Sequence, residues 1–258
     1  MALPKAVLCV LGDYSADVEE AKLRQAGFAT AMLRWKELAN QTNDWMQLAE
    51  ILDDTSIQAW VIAGESAEVT DDVISRITLL ALALRRDTQP GTALVLCDEG
   101  RPRLPPVMGH VSIFHTLEPF AARLMAARFK KGIRLSLPFH IRPLLDPLIG
   151  LWLEVAPGVS DAQTDFSVGV LDAEITAFGI GPVGVIPAKS RLAYPVLGIK
   201  GEFAGKAFSA CAAKNSLNES TACFCKVEGI PHGIFLGNYL NEEGMNSEVM
   251  LLPFIVND

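Results

Sequence analysis

The sequence predicts an α/β chain in which a parallel, three-layer domain (residues 1–133) is followed by a β-rich, α+β domain (residues 134–258). Three observations carry this. Apolar runs alternate with amphipathic stretches as far as Phe129, the pattern of parallel strands joined by helices. Pro138, Pro143 and Pro147 then punctuate RLSLPFHIRPLLDPLIG, a proline density that stops any long helix and sets a boundary near Arg134–Pro138. From Leu151 onward, short apolar runs are broken by Gly, Pro and Asn, as in an antiparallel sheet that is curved or partly closed.

In the first domain, Lys5–Leu11 (KAVLCVL) is continuously apolar and ends at Gly12, which suits a strand covered on both faces. Ser15 is placed to cap a helix through Ala26, with Asp17, Glu19 and Glu20 where the helix dipole favours acids and Gly27 as the left-handed stop. Phe28–Leu33 is a second strand. Asp44–Leu52 carries Trp45, Leu48 and Leu52 at helical spacing. Ile57–Ala63 is a third strand, ending at Gly64. Thr70 then caps a helix with Asp71 and Asp72 at its start, Arg85 and Arg86 at its end, and an apolar face of Val73, Ile74, Ile77, Leu80, Ala81 and Leu84. Thr92–Cys97 is a fourth strand, followed by the proline-rich loop Gly100–Gly109, a short strand Val111–Phe114, and a helix Leu117–Phe129 capped by Thr116.

In the second domain the expected strands are Leu151–Val155, Phe166–Leu171, Glu174–Phe178, Ala193–Ile199, Thr221–Val227, Gly233–Leu236 and Val249–Ile255. The alanines of Lys206–Asn215 allow a helix there. Glycines 198, 201 and 205 call for tight turns or close backbone approach.

Composition narrows the function classes. Half of the 258 residues are hydrophobic and a fifth are charged, which excludes a disordered chain. The net charge of −8 and the even spread of acids (17 in residues 1–131, 13 in 132–258) argue against a nucleic-acid face. No apolar run approaches the ~18 residues of a membrane span, and the run Ala6–Leu11 is too short for a secretory leader. A cytoplasmic protein is expected, and its odd count of five cysteines makes a disulfide framework unexpected.

In parallel sheets of this kind ligands sit beyond the carboxyl ends of the strands. The residues there are Asp13, Tyr14 and Ser15, then Glu65 and Ser66, then Asp98 and Glu99, then His115 and Thr116. Asp13, Ser15, Glu65, Ser66, Asp98 and His115 are the candidate ligand-binding residues. The strand–helix order over the first 130 or so residues resembles flavodoxin-like architecture, shared by response-regulator receiver domains and Toll/interleukin-receptor (TIR) domains. The rim departs from each family's motif. Receiver domains need an acidic pair, a phosphoaccepting Asp, a Ser or Thr, and a Lys; here Asp13 is single, Glu65 stands at the acceptor, Cys97-Asp98-Glu99 has no hydroxyl, and His115 replaces Lys. NAD-cleaving TIR domains place a Glu early in the helix after the third strand, and TDDVISRITLLALALRR has none. Flavodoxins use a Ser/Thr-rich phosphate loop, for which GDYSAD is too short and too acidic.

Three further patterns tempt and fail. Gly179-Ile180-Gly181-Pro182-Val183-Gly184 matches the dinucleotide GxGxxG, but Pro182 removes a loop amide and Pro187 and Pro195 interrupt the helix the motif needs, so a turn between strands is expected. Ala188-Lys189-Ser190 mimics the end of a P-loop without its glycines. Cys211, Cys223, Cys225 and His232 offer a Cys₃His set, yet C-x-C lacks the knuckle spacing of zinc sites, and buried core cysteines with no metal are expected. His140, between Phe139 and Ile141, is expected to be structural. Lys189, Arg191, Lys200, Lys206 and Lys214 are expected to line a solvated strand face, with an anion site as the alternative.

The function expected is therefore that of a ligand-binding or regulatory protein without a catalytic motif or a specified cofactor. A small molecule would sit at the rim or between the domains. One alternative is an enzyme using Glu65 or Asp98 on a nucleoside-like or glycosidic substrate. The other is a structural protein; in either case the second domain offers a surface for homodimerisation.

Overall fold

The computed structural model describes residues 3–35, 44–84, 90–127, 139–157, 166–184, 199–203, 205–213, 221–238 and 249–255. Arg85, Arg86, the 134–138 boundary, Ala188–Ser190, Arg191, Lys214, Gly198 and most of the expected strand Ala193–Ile199 lie outside them. The chain divides into two compact units, Met1–Arg134 and Leu135–Asp258.

In the first unit, strands β1 (Lys5–Val10), β2 (Ala29–Arg34), β3 (Ile57–Gly64), β4 (Gly91–Leu96) and β5 (Ser112–His115) form one parallel sheet in the order β2-β1-β3-β4-β5. Helices α1 (Asp17–Gln25), α2 (Gln47–Asp53) and α3 (Asp71–Ala83) connect the first four in turn, and α4 (Phe120–Ala127) follows β5. This is the α/β, flavodoxin-like arrangement. The continuous apolar runs in β1, β3 and β4 follow from burial of both faces. Ala6, Leu8 and Val10 pack with Leu23 of α1 and Phe120 and Leu124 of α4. On the opposite face Ile62 and Leu94 meet Ile74 and Ile77 of α3 around a small hollow with no polar lining. Trp60 is fully buried and its indole N–H donates to Cys9 Sγ at 3.4 Å.

The caps fall partly as the sequence indicates. Thr70 Oγ1 accepts from Val73 N at 3.4 Å at the start of α3, and Gly27 has φ 92° after α1. Ser15 does not cap α1: the helix begins at Asp17 behind Ala16, and Ser15 Oγ donates to Asp17 Oδ2 at 2.7 Å. Thr116 does not cap α4, which starts after Pro119; its hydroxyl is directed to Glu19 instead. Burial on α3 extends beyond the expected stripe to Ser75, Thr78, Leu79 and Leu82.

Among the described residues the second unit forms two antiparallel sheets. One is ordered β6-β7-β12-β9 and the other β10-β11-β8-β13-β14. The strands are β6 (Phe139–Asp146), β7 (Gly150–Pro157), β8 (Phe166–Leu171), β9 (Glu174–Pro182), β10 (Ile199–Phe203), β11 (Lys206–Ala213), β12 (Thr221–Glu228), β13 (Gly233–Asn238) and β14 (Val249–Pro253). Three elements correct the sequence reading. The proline-rich stretch after the boundary is strand β6, whose Pro143 is tolerated because β6 lies at the border of its sheet among the described residues. KAFSACAA is strand β11 rather than a helix, because pairing with β8 and β10 overrides the helix preference of alanine. Gly179–Pro182 belongs to β9, paired with Thr221–Phe224, so only Val183 and Gly184 of the apparent GxGxxG form a turn.

Alternation then sorts the side chains. Ser209 and Cys211 of β11 face the other sheet, where Ser209 Oγ accepts from Ile175 N at 3.1 Å. On the reverse face the rings of Phe208 and Phe235 meet edge to face at 5.6 Å. Phe235 lies over its cross-strand partner Gly169, where any Cβ would collide with the ring, and Phe208 lies likewise over Gly201. Close aromatic approach thus accounts for Gly169 and Gly201, while Gly205 takes a turn at φ 78°. Asp172, at φ 55° in the β8–β9 turn, is gripped by His232 Nδ1 at 3.0 Å and Lys206 Nζ at 3.7 Å.

Candidate functional site

Two places gather chemically capable side chains: the rim of the parallel sheet and the space between the antiparallel sheets.

At the rim, β3 and β4 end side by side and bring Ser66 to Asp98. The Asp98 carboxylate accepts from Ser66 Oγ at 2.7 Å, from Ser66 N at 3.1 Å and from Gly100 N at 3.3 Å. The Ser66 hydroxyl, with these amides, holds Asp98 below the usual carboxylate range. His115, at the end of β5, places Nδ1 at 2.7 Å from the Asp98 carbonyl oxygen, and its own amide donates to Glu118 Oε1 at 3.1 Å. Ser66, Asp98 and His115 therefore form one connected group. Glu65 is exposed beside it. Asp13 is exposed on the β1 side, and Ser15 turns toward Asp17, away from the group.

The strongest polar feature at this rim is Glu19, which the sequence reading assigned only to the helix dipole. It is 0% exposed. Its Oε1 accepts from Tyr14 OH at 3.0 Å and from the Thr116 hydroxyl, while its Oε2 has no hydrogen-bond partner. Burial pushes the Tyr14 phenol up to about 12, with Glu19 adding to the effect, so Tyr14 remains a donor. Lys22, one turn further along α1, donates to the carbonyls of Thr116 and Glu118 and so ties the helix to the β5 end. One sequence signal pointed to Glu19: Ala16, Glu19 and Leu23 share the buried face of α1, and an acid on an apolar stripe requires partners.

Glu68 adds a second acid at the end of β1. Its carboxylate lies against Gly12, at φ 53°, where a Cβ would collide with it, and its Oε2 is buried without a hydrogen-bond partner. Cys97 is exposed, and partial burial together with Glu65 and Asp98 raises its thiol. It is thus a protonated thiol at neutral pH rather than a nucleophile. Asp98 is fixed in its ionised form by three donors.

In the second unit, Cys223 and Cys225 lie on one face of β12, opposite Phe224, which packs with Trp152, Ala156 and Ala222. Cys211 of β11 meets them from the facing sheet. Its sulfur is 3.5 Å from Cys225 Sγ, and Cys223 and Cys225 are 3.6 Å apart. The three sulfurs lie within 4.8 Å of one another, and all three residues are buried. His232 is not one of the group; its Nδ1 bonds Asp172. Of the basic residues in this domain, Lys200 pairs with Glu174 and Lys206 with Asp172, while Lys189, Arg191 and Lys214 lie outside the described residues. His140 is exposed on β6.

Fold and site together define a flavodoxin-like α/β unit with an acceptor-rich rim, joined to a unit of two antiparallel sheets. No protein-family model matches the chain, and a search of curated proteins finds no significant relative. Among the described residues no helix is long and apolar enough to cross a membrane.

Proposed function

We propose that this protein is a non-catalytic, cytoplasmic small-molecule-binding or regulatory protein whose ligand sits at the rim of the parallel sheet, around the end of β1 where β1 neighbours β3. Strand order reverses there, and open α/β sheets take their ligands at that point. The observation that carries the reading is Glu19: a fully buried carboxylate with one oxygen held by Tyr14 and Thr116 and the other unpartnered. A buried carboxylate oxygen without a donor is costly, and a ligand hydroxyl or amine that displaces the side chains covering it relieves that cost. Glu68 Oε2 repeats the motif beside Gly12. The rim thus offers acceptors, and its ligand is a small donor-rich molecule, a polyol, nucleoside or amine, rather than an anion. Catalysis through Asp98 or Cys97 draws less support than binding, because Asp98 is engaged by Ser66 and Gly100 and the Cys97 thiol is raised and stays protonated. All five cysteines are free thiols, in keeping with a reducing compartment.

Self-association through the second unit draws less support. On β10, at the border of its sheet among the described residues, Lys200 and Glu202 are exposed, and such charges oppose strand pairing between copies.

The test is a thermal-shift screen of the full chain against polyols, nucleosides and amines. A donor-rich ligand is expected to raise Tm by an amount that grows with concentration and shrinks in Glu19→Gln and Tyr14→Phe. Absence of any shift at millimolar ligand overturns the reading.

A further inference from the structure

The thiol cluster lies in the other unit and stands apart from the rim reading. We propose that Cys211, Cys223 and Cys225 form a three-sulfur binding site for one soft, monovalent metal ion of the Cu(I) kind, held between the two sheets of the second unit.

Geometry comes first. Three sulfurs at about 2.3 Å around a central ion stand about 4 Å from one another. The observed separations of 3.5 and 3.6 Å, with the third within 4.8 Å, bracket that value. Small shifts of side chains already aimed at one another would complete the site. The donors arise from the fold: residues 223 and 225 share a face because strand side chains repeat every two residues, and β11 presents Cys211 from the facing sheet. The set exists only once the sheets pack, so binding and folding are linked.

The donor type selects the ion. All three ligands are sulfur, which favours soft thiophilic ions. Structural zinc asks for a fourth ligand, and His232, the fourth member of the set the sequence offered, is engaged with Asp172 outside the cluster. Three-coordinate Cu(I) needs no fourth donor.

Competing uses fit less well. A Cys211–Cys225 disulfide requires the sulfurs to close from 3.5 Å to about 2.05 Å and requires an oxidant. Simple core filling is a common role for single cysteines, as for Cys9, but it gives no reason for three to converge on one point.

The experiment uses the full chain, purified anaerobically with reductant and titrated with Cu(I) against a chromogenic Cu(I) chelator, with X-ray absorption on the loaded protein. One copper per chain, retained against the chelator and coordinated by sulfur alone, is the expected result. Cys97→Ser leaves it unchanged. Cys211→Ala and Cys225→Ala each weaken retention on the order of 100-fold or more. Circular dichroism reports whether those variants fold, and the wild-type stoichiometry and absorption spectrum decide the matter without them. No retention against the chelator, nitrogen or oxygen ligation, copper lost with Cys97→Ser, or zinc held in preference to copper overturns the proposal.

Discussion

The parallel sheet of the first unit keeps its polar chemistry at one end, whereas the paired sheets of the second keep theirs in the middle. In the first unit α1, α3 and α4 cover both faces, so β1, β3 and β4 carry apolar side chains and functional groups collect where the strands stop: Ser66, Asp98, His115 and the buried Glu19. In the second unit one face of each sheet turns toward the other, and the polar and thiol groups lie between them: Ser209 bridging to Ile175, and three cysteines in contact. Crossover helices leave only strand ends open. Facing antiparallel sheets place alternate residues in a shared interior. The same chain thus builds a polar rim at its strand ends and an enclosed set of thiols between sheets.

The largest effect is expected from breaking the first unit's core. Trp60→Ala removes a fully buried indole and its contact with Cys9, and should lower stability by about 3–5 kcal/mol in chemical denaturation. A loss below ~1 kcal/mol would mean the sheet repacks in a way these two covered faces do not allow. A smaller loss, about 1–3 kcal/mol, is expected for Ser209→Ala, which leaves Ile175 N without the hydroxyl that crosses between the sheets. Unchanged stability, by the same measurement, would show that this bridge contributes nothing to the sandwich. The smallest effect at neutral pH belongs to Asp98→Asn. Asp98 is held low in the folded chain, so its contribution is present above the ordinary Asp value of roughly 3.9 and fades as pH falls through the lower folded value. The variant should show a shallower loss of stability on acidification below pH ~4, read from Tm against pH. An identical acid limb would remove Asp98 from the groups that fix the rim.

Much of the first unit was legible because its signals are local. Thr70 with Asp71 and Asp72 marks the start of α3, and Gly12, Gly27 and Gly64 mark ends, each through its own backbone or dipole requirement. The misreadings arose where a partner far along the chain decides. Thr116 looks like a helix cap, but Glu19, 97 positions away, takes its hydroxyl. KAFSACAA reads as an alanine-rich helix until β8 and β10 pair with it. The strand after the boundary went unread because prolines punctuate it, yet Pro143 sits at a sheet border among the described residues, where a missing N–H is tolerated.

The candidate sites divide along the same line. The amino-acid order alone determined that acids and hydroxyls would gather after Val10, Gly64, Leu96 and His115, because each strand must end in a polar turn. It also determined that Cys223 and Cys225 would share a face, because the strand period is two. Only the tertiary structure decided that Ser66 would lock Asp98, that Glu19 would be buried under Tyr14 and Thr116, and that Cys211 would complete a triangle while His232 turned away to Asp172. Those contacts join residues distant in sequence, and which of them form is set by sheet order and by how the sheets pack, neither of which a local propensity encodes.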